Sequence, residues 1–221
     1  YFIMGIINDN FMLKNDVAKK LYNDYAKDMP IIDYHCHISP KMIAEDYMFK
    51  NAFELFLGGD HYKWRQMRSN GIDEEYITGN ADEYEKWLCF AKTRPKLIGN
   101  PLYHWSHMEL SMFFGIDKPL TSETADEIWN EANEYIRKTQ MSPRKLIKSS
   151  GVEIICTTDD IIDSLEWHDK IKADDSFDVK VLPSYRTDKL LLMRRDDYAD
   201  YLKKLSEMSG IEITDLASFK A

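Results

Sequence analysis

The chain is short of cysteine, of net positive charge and of long apolar runs, and each shortage closes off a class of protein. Its three cysteines, Cys36, Cys89 and Cys156, are scattered and form no CxxC pair. That excludes a disulfide framework and suits a reducing, cytoplasmic setting. Lys and Arg number 29 against 38 Asp and Glu, a formal charge of -9. Nucleic acid and anionic membrane would be repelled at long range by such a surface. A small acidic substrate is not excluded, since one or two local arginines suffice to hold a carboxylate. No apolar run reaches the ~20 residues of a membrane span. The opening residues 1–7 are apolar, but the run is short and has no basic stretch ahead of it. No internal repeat or low-complexity tract interrupts the 221 residues, of which 44% are hydrophobic and 13% aromatic, so the chain is expected to fold around a sizeable core.

Much of the sequence reads as helix. Asn15 is placed to cap a helix carrying Val17, Leu21 and Tyr25, which ends before Met29-Pro30. Ser39-Pro40 opens another, and the stretch from Phe49 to Phe56 runs up to the Gly58-Gly59 break. Asp60 then stands ahead of a helix ending at Gly71, with His61 and Tyr62 in its first turn; Trp64 and Met67 read as core and Arg65 and Arg68 as solvated. Further helices are expected over Glu83 to Thr93, Tyr103 to Phe114, Thr121 to Lys138 and from Ser142 to Ser150. His104 and His107 lie at i, i+3 among aromatics, with no carboxylate at matching spacing, and read as packing rather than ligation.

Three stretches read as buried parallel strands: 31–37, 152–160 and 179–186. The first ends in His35-Cys36-His37, and alternation along a strand sends both imidazoles to one side. The second ends in Thr157-Thr158-Asp159-Asp160 and the third in Arg186. Asp159 and Asp160 read as caps of the following helix, with a role in orienting a site as the alternative. Strand, long helical region, strand, helix, strand, helix is the order of a parallel α/β fold with right-handed crossovers. Ligands in such folds sit outside the carboxyl ends of the strands, where these polar residues gather.

Five ordered blocks carry a more specific signal: Asp33-Tyr34-His35-Cys36-His37, the run from Gly59 to Arg68, Gly99-Asn100-Pro101-Leu102-Tyr103-His104-Trp105, Cys156 to Asp160, and Leu182-Pro183 with Arg186 and Asp188. Together they resemble the uronate (glucuronate) isomerase family, a divergent branch of the amidohydrolase superfamily, from about Asn10 onward. The resemblance implies a (β/α)8 barrel with a large helical insertion after strand 1. It also implies interconversion of D-glucuronate with D-fructuronate, and of D-galacturonate with D-tagaturonate, by proton transfer between C2 and C1. Carried over residue by residue, it makes His35 and His37 a metal-binding pair and Tyr62, with His35, a catalytic group. Arg186 becomes the reader of the substrate carboxylate, with His61 and Arg65 as substrate neighbours. Zn2+ follows as a candidate cofactor, although two imidazoles are an incomplete shell for it.

Length bounds these expectations. A complete barrel takes eight strands and ~250 residues, whereas three strands are evident here and the family's late aspartate has no counterpart. The chain is therefore expected to be a partial TIM-type barrel: a helical segment over 1–30, barrel strand 1 over 31–40, a helical insertion over 41–150 and further βα units over 151–221. A metal-dependent hydrolase of the wider superfamily and a non-catalytic sugar-acid-binding module are the alternative functions. A small-molecule uronate is the expected partner, with a second copy of the chain as a candidate and neither nucleic acid nor membrane.

Overall fold

Capped amphipathic helices and three short strands make up the computed structural model, which describes residues 7–220. The apolar opening therefore lies outside the described residues except for Ile7. In chain order the elements are α1 (Asp16–Leu21), β1 (Ile31–Asp33), α2 (Pro40–Ala44), α3 (Ala52–Leu57), α4 (His61–Ser69), α5 (Glu83–Thr93), α6 (Pro101–Phe114), α7 (Ala125–Thr139) and α8 (Pro143–Ser149). These are followed by β2 (Val152–Thr158), α9 (Glu166–Lys172), β3 (Lys180–Ser184), α10 (Asp188–Leu191), α11 (Tyr198–Ser209) and α12 (Leu216–Lys220). No helix among the described residues is long and apolar enough to cross a membrane. The chain divides into two units, residues 1–29 with 48–142 and residues 30–47 with 143–221.

The first unit is helical. Asn15 caps α1 as expected, accepting from the Ala18 N–H at 2.8 Å. Val17, Leu21 and Tyr25 are exposed all the same. The core of this unit is built by α5 and α7, where Trp87, Phe90, Ile128 and Ala132 are wholly buried and the Trp87 indole donates to Ala125 O at 3.0 Å. His107 is a satisfied core histidine: Nδ1 meets Tyr103 O at 2.6 Å and Nε2 accepts from the Leu120 N–H at 2.9 Å.

The second unit holds a three-stranded sheet in the order β1-β2-β3, parallel throughout, with Asp33 opposite Ile155 and Cys156 opposite Leu182. Helices α2, α8 and α9 supply Ile43, Ile147 and Ile171 to a core with Cys36, Ile155, Phe177 and Val179. Alternation along β2 turns Ile155 and Thr157 inward and leaves Ile154 and Cys156 half-buried.

Two strands depart from expectation: β3, read as buried over 179–186, pairs on one side only among the described residues and has no fully buried residue from Lys180 to Ser184. The stretch 31–37, read as a buried strand, is regular only over Ile31–Asp33, and Ile32 is 61% exposed. Two causes are visible. β1 is an edge strand paired on one side only, and the Asp33 carboxylate accepts the His35 N–H at 3.3 Å, turning the chain out of the ladder.

Arg144, at the start of α8, ties this unit together. Its guanidinium donates to Ile43 O at 2.6 Å, to Ala44 O at 3.1 Å and to Asp174 at 2.6 Å, and lies over the Phe177 ring. Ile43 O also accepts the Asp46 N–H at 3.2 Å, so Ala44 O is the carbonyl at the end of α2 that depends on Arg144. Arg144→Met is expected to cost roughly 1–3 kcal/mol by leaving Ala44 O without its donor. Urea unfolding checks this, through a lower midpoint at unchanged slope.

Candidate functional site

The polar residues beyond the strands of the second unit fall into two groups, the His35 and His37 pair after β1 and a cleft at the ends of β2 and β3 whose lining does not include that pair. Beyond β1 the Cys36 N–H donates to Cys156 O at 3.0 Å, which restores one rung of the parallel ladder. Cys36 faces the core, where burial pushes its thiol up to about 11. Its neighbours His35 and His37 therefore emerge on the opposite side, both exposed, with Nε2 atoms 3.2 Å apart. Two nitrogen ligands at ~2.05 Å from a tetrahedral ion stand ~3.3 Å apart, so the pair fits half of a zinc shell. Among the described residues no group of three or more His, Cys, Asp or Glu side chains gathers to complete one.

A cleft of about 350 Å³ opens at the carboxyl ends of β2 and β3, lined by Thr158, Asp159, Asp160, Asp163, Arg186, Asp188 and Lys189. The Thr158 hydroxyl donates to Cys36 O, so the same strand end that lines the cleft also holds the segment between the two histidines. Arg186 Nε donates to Asp188 at 3.0 Å. Asp160 accepts from Lys189 at 2.9 Å and from the Tyr201 hydroxyl at 2.9 Å. Burial works to raise the Asp160 pKa, but the bonds from Lys189 and Tyr201 outweigh it and hold the carboxyl below its usual value. Tyr201 is raised in turn, by burial and then by the Asp160 carboxylate.

The two aspartates are not helix caps. Helix α9 begins after Leu165 without a side-chain cap, while Asp159 is 6% exposed and accepts from Thr157 Oγ1 at 2.7 Å. Asp160 closes a local turn by accepting the Ile162 N–H at 3.2 Å. Thr157, placed by the sequence at the polar end of β2 with no role of its own, meets His168, which the sequence does not single out: hydroxyl and Nε2 lie 2.8 Å apart beneath this turn. The signal for Thr157 was present: period two places it on the same face as the core residue Ile155. His168 could not be found that way, because its partners are distant in sequence.

His61, Tyr62 and Arg65 belong to the first unit, on α4. Asp60 caps this helix as expected, one carboxylate oxygen accepting the Tyr62 and Lys63 N–H groups at 3.0 Å each. All three candidate residues are exposed, with Arg65 over the Tyr62 ring and His61 edge-on to Trp64. Met67 is core, Trp64 is half-buried with its indole donating to Leu57 O at 2.6 Å, and Arg68 is solvated.

The opposite face of α4 buries polar residues that the apolar pattern did not reveal. Lys63 reaches Glu109 at 3.0 Å and Asp60 at 3.4 Å. Gln66 donates to Asn100 at 3.1 Å and accepts from Arg94 at 2.9 Å. Arg94 is wholly buried, and that burial lowers its pKa to about 10. Such a network fixes the orientation of α4 and hence of its exposed side chains.

Comparison with known proteins accords with this arrangement. The family model described as glucuronate isomerase matches residues 3–221. The uronate isomerase of Caldanaerobacter subterraneus subsp. tengcongensis is 54% identical over 213 residues, which are 96% of this chain and 46% of that protein. That of Lachnospira eligens is 52% identical over 212 residues, 96% of this chain and 45% of that protein. Among solved structures, uronate isomerase from Thermotoga maritima superposes with a TM-score of 0.90 at 38% identity, over 98% of this chain and 47% of that one. Glucuronate isomerase from Caulobacter crescentus gives 0.83 at 25% identity, over 91% and 43%. The chain spans about half the length of the curated relatives it matches. Five motif blocks, a parallel sheet with its polar strand ends in register and a family match over nearly all residues agree, and the chain belongs to the glucuronate (uronate) isomerase family.

Proposed function

We propose that the protein takes part in aldose-ketose isomerisation of uronates, D-glucuronate to D-fructuronate and D-galacturonate to D-tagaturonate, and that this chain supplies the amino-terminal part of the catalytic barrel. On this reading β1, β2 and β3 are the first strands of a (β/α)8 barrel, and the helices of residues 41–150 are its insertion. The observation that carries the proposal is the grouping of Arg186 with the polar ends of β2 and β3 in one cleft, next in the sheet to the strand that ends in the histidine pair.

The chemistry follows from the open-chain sugar. The proton on C2 is removed, the aldehyde oxygen at C1 gains a proton to give a cis-enediol, and a proton returned to C1 with loss of the O2 proton leaves the ketone at C2. Such a reaction needs a base at C2, a polarising group at the carbonyl oxygen and a cation for the C6 carboxylate. Arg186 is the cation, a planar guanidinium suited to bidentate binding of a carboxylate. His35 and His37 sit at the carbonyl end, where their Nε2 atoms hydrogen-bond sugar oxygens. A divalent ion such as Zn2+ held by this pair would act there as a Lewis acid. Tyr62 exchanges a proton with a sugar oxygen, while His61 and Arg65 contact substrate. The free cysteines support a cytoplasmic location.

A coupled assay for fructuronate formation from D-glucuronate, run on this chain and on the longest polypeptide its gene encodes, tests the reading. Turnover by the longer form is expected, and no turnover by either would favour the hydrolase or binding-module alternatives. In the active form Arg186→Met is expected to raise KM at least tenfold, in line with the ~1.5–3 kcal/mol of a hydrogen bond to a charged group; an unchanged KM would remove Arg186 from the carboxylate. Tyr62→Phe is expected to lower kcat by about 10²-fold or more while leaving circular dichroism unaltered. Full activity in that variant would take Tyr62 off the proton path.

A further inference from the structure

Beneath the cleft runs a buried hydrogen-bond chain that the isomerase chemistry above does not use. Thr157 is wholly buried, and its Oγ1 lies 2.7 Å from Asp159 Oδ2, 2.8 Å from His168 Nε2 and 3.3 Å from Leu182 O. A hydroxyl has one proton to give, and the carboxylate is both the nearer and the charged acceptor. Oγ1 must then accept from His168, which places the ring proton on Nε2. Nδ1 of the same ring is buried without a partner. A bare nitrogen there costs less than a stranded N–H would.

The other cleft carboxylates are engaged. Asp160 holds Lys189 and Tyr201, Asp188 holds Arg186, and Asp163 accepts the Asp160 N–H at 2.8 Å. Asp159 differs, because all its contacts fall on Oδ2: Thr157 Oγ1, the Ser184 N–H at 3.4 Å and His168 Nε2 at 3.7 Å. Its Oδ1 accepts no hydrogen bond among the described residues, yet it is not one of the buried side-chain atoms left without a partner. Asp159 lines the cleft, and with Oδ2 engaged Oδ1 is the oxygen left to meet a ligand there.

We propose that Asp159 Oδ1 accepts a hydroxyl of the sugar acid, and that Thr157 and His168 are positioning residues that saturate Oδ2 and hold Oδ1 toward the ligand. This rests on the uronate reading above and deepens it: Arg186 takes the carboxylate and Asp159 a hydroxyl of one polyhydroxy monocarboxylate. The relay is read on the chain itself by nitrogen-15 spectra of the imidazoles. A neutral His168 with its proton on Nε2, perturbed in Thr157→Val, is expected; a proton on Nδ1 or on both nitrogens overturns the relay.

The ligand role is read on the longest polypeptide the gene encodes. Thr157→Val, which keeps the shape and loses the hydroxyl, is expected to raise KM for D-glucuronate about tenfold with kcat within about threefold, and Thr157→Ser to restore it. Val and Ser variants that behave alike, or a loss in kcat alone, overturn the proposal. If the Val variant fails to fold, His168→Gln, which retains a donor, is compared with His168→Phe under the same criteria. If the wild type shows no turnover the isomerase reading fails by itself. Calorimetric titration with D-glucuronate then decides: weaker binding by Thr157→Val than by Thr157→Ser supports the proposal, and equal or absent binding overturns it.

Discussion

Parallel pairing of three short strands is the constraint on which the site depends. The ladder from β1 through β2 to β3 brings the segments after all three to one end of the sheet, and two contacts beyond β1 extend that order. The Cys36 N–H bonds Cys156 O, and the Thr158 hydroxyl reaches Cys36 O. A cysteine packed into the core between two exposed histidines leaves little choice about where the imidazoles go. The His-x-His segment lies beyond the regular strand, and without these two bonds nothing would tie it to β2 or bring its two nitrogens together.

Burial of charge and polarity is used in both units to fix orientation rather than to add bulk stability. Arg144 threads the end of α2 and the turn at Asp174 together, and Arg94 with Gln66 and Asn100 locks the inner face of α4. Replacing such groups with apolar ones of like volume often does not harm stability, but removing one partner does. That asymmetry suits a protein whose exposed side chains have to be aimed. Thr157, Asp159 and His168 follow the same logic beneath the cleft.

Much of this was legible in the sequence. Caps at Asn15 and Asp60, proline at the start of α2 and glycine at the end of α3 set helix bounds that local chemistry alone decides. The three strands were visible as β-branched runs, and their polar ends pointed to the cleft. What escaped was decided by distant partners. The short regular span of β1 follows from its edge position and the Asp33 side chain, and the roles of Asp159 and Asp160 follow from Thr157, Tyr201 and Lys189. Buried Lys63 and Gln66 broke the apolar pattern of α4 because their carboxylate and amide partners lie on α6 or just before it.

The central claim is that the cleft at the ends of β2 and β3 recognises a sugar acid through Arg186. Titrating isotope-labelled chain with D-glucuronate, and separately with D-glucose, tests it most directly through the amide shifts of Thr158, Asp159 and Arg186. Saturable changes at these residues with D-glucuronate and none with D-glucose are the expected result. Equal responses to both sugars, or changes confined to residues far from the cleft, would contradict the account.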